Sequence, residues 1–201
     1  MMVDEYSLEE GFMTDGSVVI FPTDTVYGFA SRLYDNEALV KIRALKNESS
    51  NHYFAVLCDT LVSVNDLAII DERAKRLMMA FWPGALTIIL KSSRSHYEKT
   101  GEEVIGVRIP NHNAALRLIK QNGPLVTTSI SLDRLTPMMD IEEINKTYQD
   151  KVDFIYEDYE DYNLNMLSTT VDLTEEKIKY LRVGSITQSQ IEAILAPDFQ
   201  I

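Results

Sequence analysis

Hydroxyl side chains and permanent positive charges recur together along this sequence. Thr23, Asp24 and Thr25 form one polar cluster, Thr127 to Ser131 a second and Ser168 to Thr170 a third, with Arg108 and Arg182 as the accompanying cations. Each lies beside a short apolar run of the kind that forms a buried strand. A guanidinium is a planar charged fork that matches carboxylate and phosphate oxygens, and hydroxyls complete the hydrogen bonds of such ligands. Together these residue types suit recognition of a small anionic molecule. For each cluster alone a plainer account stands beside it: threonine favours strands, and arginine caps surfaces.

Other chemistries find less support. His52, His96 and His112 lie in separate segments without metal-ligand spacing, and no cysteine accompanies them, so no zinc site and no structural metal is expected. Gly-rich phosphate loops, the dinucleotide Gly fingerprint and a Gly-x-Ser-x-Gly turn are all missing. The single cysteine, Cys58, excludes internal disulfides and, between Leu57 and Asp59, reads as a core residue. Glu157 to Asp161 carries four acids around Tyr159 and reads as a solvated loop. A net charge of −12, from 31 acidic and 19 basic residues, repels polyanions on average. No apolar run approaches the roughly 20 residues that span a bilayer, and Met1 to Glu10 lacks a signal pattern, so a cytoplasmic protein without membrane contact is expected.

The clusters need elements to hold them. Val18 to Phe21 predicts a buried strand ended by Pro22, after which Pro-Thr-Asp-Thr presents polar groups at a sheet end; the plainer account is a turn, with Asp24 bonding backbone amides and Gly28 accepting an unusual φ. Ser7 to Glu10 reads as the start of a short helix ending near Asp15-Gly16. Further helices are predicted over Asn36 to Leu45 with Asn36 as N-cap, Asp71 to Phe81, Asn113 to Gln121, Ile141 to Tyr148 and Gln188 to Leu195. Strands are predicted over Tyr53 to Cys58, Leu86 to Leu90, Val104 to Ile109, Leu125 to Ile130 and Val152 to Tyr156, and a hairpin over Thr169 to Leu173 and Ile178 to Val183. The polar stretch Lys91 to Glu103 reads as a loop long enough to move. With no repeat and no linker, the pattern predicts one domain over residues 1–201, a mixed sheet with helices packed on it.

Pro22 to Ala30, PTDTVYGFA, resembles the PT-acid-TVYGL signature of the YrdC-like family, whose best-known members are threonylcarbamoyl-adenylate synthases. Trp82 to Thr87 is similar to that family's WPGPLT and Ile105 to Pro110 to its V-x-V-R-x-P, so the similarity runs from about Val18 to Leu195. The resemblance implies an α/β (α+β) fold of the YrdC/RibB-like kind, a twisted mixed sheet with flanking helices around an open cavity. It implies formation of L-threonylcarbamoyl-AMP from L-threonine, bicarbonate and ATP, with magnesium accompanying ATP, for N6-threonylcarbamoyladenosine modification of tRNA, and with tRNA-modifying proteins as partners. By residue, it places threonine against Thr25, Arg108, Thr127 and Thr169, and the nucleotide against Lys46, Ser129, Ser131 and Arg182. Lys46 and Arg182 then neutralise charge during transfer.

The sequence also departs from that pattern. Glu48 stands where the family's Lys-x-Arg motif has arginine, Ser131 replaces the asparagine of Ser-x-Asn, and His52 sits where a second lysine or a polar residue is common. An arginine on a phosphate contributes about 1.5 to 3 kcal/mol, and a glutamate would lose that and add repulsion. In these respects the chain is more similar to the YciO-like branch. A second reading is therefore a weakly active or non-catalytic protein that binds double-stranded RNA through Lys41, Arg43, Lys46, Arg73, Lys75 and Arg76. A third is a threonine or nucleotide sensor.

Overall fold

Period-2 apolar residues in the strand segments build one mixed sheet. The computed structural model describes residues 11–46, 54–131, 136–157 and 167–196. Among these, nine strands pair: β1 Val19–Phe21, β2 Gly28–Arg32, β3 Ala55–Leu57, β4 Leu86–Lys91, β5 Val104–Arg108, β6 Leu125–Ser129, β7 Phe154–Ile155, β8 Thr169–Asp172 and β9 Lys179–Arg182. Their order across the sheet is β7-β1-β2-β6-β3-β5-β4-β8-β9. The β7/β1, β3/β5 and β4/β8 pairs are parallel and the other neighbours antiparallel.

The helices are α1 Asn36–Leu45, α2 Leu61–Leu67, α3 Glu72–Phe81, α4 Arg94–Thr100, α5 Asn113–Asn122, α6 Ile141–Tyr148 and α7 Gln188–Leu195. Their starts are set by side chains that accept a first-turn backbone N–H: Asp35, Thr60, Asp71, Ser93, His112, Asp140 and Thr187 in turn. No described helix is long and apolar enough to cross a membrane.

Side-chain alternation divides the core between the two faces of the sheet. On one face Val56, Leu86, Ile88, Leu90, Ile105, Val107 and Val171 meet Val64, Leu67, Ala74, Leu77, Met78 and Ile191 of α2, α3 and α7. At the other end of that face Val18, Ile20 and Phe29 meet Ala38 and Ile42 of α1 and Ile144 and Tyr148 of α6. The opposite face is covered by α5, whose Ala115, Leu118 and Ile119 pack on Val19, Phe21, Ala30, Leu57 and Leu125. That helix reaches only the β1, β2, β3 and β6 end, which leaves the middle of the face open.

Several expectations are corrected. Gly28–Arg32 is a strand, so the polar stretch after β1 turns back into a second strand instead of leading to a helix. Gly28 has no unusual φ; it is small because a Cβ would meet the Thr128 carbonyl oxygen at 3.1 Å. The N-cap of α1 is Asp35, one residue before Asn36. Leu61–Leu67 is an unexpected helix, and the supposed loop Lys91 to Glu103 contains α4, with His96 buried beneath it. From Gly11 to Val18 there is no helix, since Gly11 and Gly16 turn the chain at φ of 91° and 81°. Ser7 to Glu10, and most of Glu157 to Asp161, lie outside the described residues.

Candidate functional site

The open part of the second face is a cavity of about 650 Å³. Alternate strand positions supply its floor: Gly28 of β2, Ala55 of β3, Thr87 and Ile89 of β4, Val104, Gly106 and Arg108 of β5, Thr127 and Ser129 of β6, and Thr170 of β8. Gly106 and Ala55 sit side by side in register, so two small residues make the centre of the floor deep. Thr23 and Thr25 line one end, Leu167, Ser168, Leu181 and Arg182 the other.

The loop from Pro22 to Tyr27 is held by its first hydroxyl. Thr23 Oγ1 donates to the Val26 carbonyl at 2.7 Å and accepts from the Thr25 and Val26 amides at 3.2 Å. This is the turn-forming role expected of Asp24. Asp24 instead reaches across to Arg108, whose Nη2 donates to its Oδ1 at 2.5 Å, while Nη1 donates to Thr25 Oγ1 at 3.0 Å and Nε to the Gly84 carbonyl at 2.9 Å. A guanidinium has five N–H groups, so this leaves one on each terminal nitrogen. Burial lowers the Arg108 pKa; Asp24 opposes that shift and the nearby charge of Arg182 adds to it.

Arg182 ends the edge strand β9 at the other side of the cavity. Its Nε donates to the Ser168 carbonyl at 2.8 Å, and its Nη2 to Ser168 Oγ at 2.9 Å and Thr170 Oγ1 at 3.3 Å. Its pKa is also lowered by burial. Two guanidiniums thus face one hydroxyl-lined depression, an arrangement suited to a ligand with more than one negative group.

The structure places the expected site residues unevenly. Thr25, Arg108, Thr127, Ser129 and Arg182 come together on the cavity wall although up to 157 positions separate them. Thr169 does not: its fully buried hydroxyl donates to the Ile186 carbonyl at 2.5 Å and accepts from the Gly184 and Ile186 amides at 2.8 and 3.1 Å. Its neighbours Ser168 and Thr170 face the cavity, as strand alternation from the core residue Val171 already indicates. Thr128, within the polar cluster Thr127 to Ser131, also lines it, and so does Thr87, which the sequence reading did not select because it sits in the apolar run LTIIL. Lys46 is off the wall, donating from Nζ to the Ser129 carbonyl at 2.9 Å, and Ser131 bridges to Pro137. Glu48 and His52 lie outside the described residues.

The cations proposed for RNA divide between α1 and α3, which pack at different ends of the sheet. Lys41 donates to the Gly16 carbonyl, Arg73 to Asp71 and to the carbonyls of Leu173, Glu175 and Glu176, and Arg76 to those of Leu195 and Ala196. Cys58 is buried in the core, and burial, with Asp59 nearby, pushes its thiol up to about 12.

Known proteins share this architecture. The Sua5/YciO/YrdC family model, described as "Telomere recombination", matches residues 11–184. The threonylcarbamoyl-AMP synthase of Bacillus subtilis is 32% identical over 190 residues, which are 92% of this chain and 55% of that protein. The crystal structure of Pyrococcus abyssi Sua5 complexed with L-threonine superposes with a TM-score of 0.85 at 27% identity, covering 97% of this chain and 59% of that one. Escherichia coli YciO superposes with a TM-score of 0.76 at 26% identity, covering 90% and 87%. This chain therefore spans a little over half the length of the Bacillus relative, and most of the length of YciO.

Proposed function

Since the chain belongs to the Sua5/YciO/YrdC family, we propose that it is an enzyme of the threonylcarbamoyl-AMP synthase type, working as one domain in the cytoplasm. The observation that carries this reading is a pair of guanidiniums, buried Arg108 and the more exposed Arg182, on one open face of hydroxyl-bearing strands. The free N–H groups of Arg108 take the threonine carboxylate, with Thr25 and Thr127 nearby for its polar groups. Arg182, held by Ser168 and Thr170, takes ATP phosphates, and Ser129, across the same cavity, takes another part of the nucleotide.

In the reaction the threonine amine adds to the carbon of bicarbonate, and loss of water leaves the carbamate. A carbamate oxygen then attacks the α-phosphorus of ATP, the bond to the β-phosphate oxygen breaks, and pyrophosphate leaves with that electron pair. Such a step needs positioning and charge neutralisation more than a nucleophilic side chain. A magnesium ion would enter on the ATP phosphates as part of the substrate. The protein's own contribution is then the two guanidiniums and the Lys46 ammonium at the Ser129 carbonyl. The adenylate would be passed on for modification of tRNA.

The test is pyrophosphate release by the purified protein given ATP, L-threonine, bicarbonate and magnesium. Release that requires threonine, and that falls at least tenfold in Arg182→Gln, is expected. Release that ignores threonine, or none at all, would reject the proposal.

A further inference from the structure

A second cavity, of about 280 Å³, lies on the other face of the sheet, between α1 and α4. Its apolar lining includes Leu39, Val56, Ile105 and Val126, and Phe54, Val104 and Gly106 border both cavities. Among the described residues, the side chains of Arg43, Lys99 and His96 line it, with one carboxylate, Glu102. In a chain of net charge −12, a locally basic pocket over an apolar floor runs against the bulk composition.

Two further observations mark this place. His96 is 1% exposed, and its Nδ1 lies 3.1 Å from the Tyr34 hydroxyl. Its Nε2 has no hydrogen-bond partner and stands 3.7 Å from Glu102 Oε2, beyond hydrogen-bond reach. Buried polar atoms without partners are rare and call for an explanation. Tyr34, at the rim, holds φ at 71°, the left-handed region that side chains other than glycine seldom adopt. Strain of this kind gathers at ligand sites. The Lys99 ammonium rests over the Tyr34 ring at 4.7 Å and the Arg43 guanidinium over the Phe54 ring at 5.2 Å, so both cations are held at the cavity.

We propose that this cavity is a second binding site, separate from the larger one, for a small organic anion with an apolar body: its anionic group meets Arg43 and Lys99 and its body covers Leu39, Val56 and Ile105. The volume is just below the range of drug-sized ligand pockets, which run from about 300 Å³, and so fits a smaller molecule. At about 30 Å³ for each water-sized atom group, it holds roughly nine such groups.

Phenylacetate is a fitting probe, titrated into the 15N-labelled full chain and followed by amide shifts. Saturable shifts at Tyr34, Leu39, His96 and Ile105 are expected, with phenylacetamide and inorganic phosphate each at least tenfold weaker, because one lacks the charge and the other the apolar body. Arg43→Gln with Lys99→Gln should weaken phenylacetate at least tenfold while the spectrum elsewhere stays that of the wild type. Equal binding of phenylacetamide would overturn the proposal by showing an apolar pocket without anion selectivity. Shifts confined to Thr127 and Arg182 would overturn it by placing the probe in the larger cavity. No saturation at millimolar phenylacetate would overturn it outright.

Discussion

Arg108 and Asp24, 84 residues apart in sequence, form an ion pair at 2.5 Å with side chains only 6% and 11% exposed. The carboxylate on the first polar loop thereby fixes the guanidinium that faces the cavity. Removing one partner of a buried pair leaves an uncompensated charge, which costs about 3 to 5 kcal/mol. Asp24→Asn should therefore lose stability of that order in urea unfolding. L-Threonine, if its carboxylate replaces the missing charge, should stabilise the variant more than it stabilises the wild type. An equal threonine-induced shift in Tm for both proteins would show that the ligand carboxylate does not meet Arg108.

Thr169 and Thr170 are adjacent and should behave oppositely. Thr169→Val strips partners from the Gly184 and Ile186 amides and the Ile186 carbonyl, each worth about 1 to 3 kcal/mol when left unsatisfied. Its expected effect is a large fall in the urea midpoint. Thr170→Val, on the cavity wall beside Arg182, should keep the midpoint and weaken ATP binding by a few-fold. Calorimetry and denaturation on the two variants separate the roles.

Gly106 tests the depth of the floor. A Cβ there would have ordinary contacts, at 3.7 Å to Thr87 Cγ2 and Ile89 Cγ1, so Gly106→Ala should bind ligand nearly as the wild type does. Gly106→Leu sends a larger side chain into the cavity and should weaken both threonine and ATP at least tenfold, with the circular dichroism spectrum unchanged. Undiminished affinity in Gly106→Leu would place the ligands elsewhere.

Stability should fall on the alkaline side. Burial raises the Cys58 thiol from 9.0 to about 12 and the Tyr156 phenol from 10.0 to about 12. Between the unfolded and folded values the unfolded chain has lost protons that the folded chain keeps, so stability decreases as pH rises. Below about pH 8 neither group contributes an appreciable slope. The urea midpoint is expected to drop from about pH 8 towards pH 11, and Cys58→Ala should flatten the early part of that decline. Native Cys58 should also resist iodoacetamide at pH 8 and react once the protein is unfolded.

Much of the fold was legible because it rests on local period. The apolar spacing of Glu72–Phe81 and Asn113–Asn122, with Asp71 ahead of one and Gly123 after the other, identified helices that the structure contains. Runs such as LTIIL and VIGVR identified strands for the same reason. Arg94–Thr100 was illegible: its residues, RSHYEKT, bury little besides His96, so no apolar stripe announces the helix. Gly28–Arg32 was hidden because GFASR is short, begins with glycine and ends in polar residues. Its strand character comes from pairing with β1 and β6 on both sides.

The same division holds at the site. Residue types, motif order and family resemblance were properties of the sequence alone, and they selected Thr25, Arg108, Thr127, Ser129 and Arg182, which the fold gathers around one cavity, together with Lys46, Ser131 and Thr169, which do not line it. Only the tertiary structure decided how those side chains are used. A one-residue step along a strand reverses the face, which sends Thr169 into a backbone clip and Thr170 to the cavity. A contact across 84 residues turns Asp24 from a turn residue into the partner of Arg108. The open face itself follows from α5 covering only one end of the sheet. Local sequence carries no record of which face a neighbouring helix leaves bare, because that depends on where distant apolar surfaces find each other.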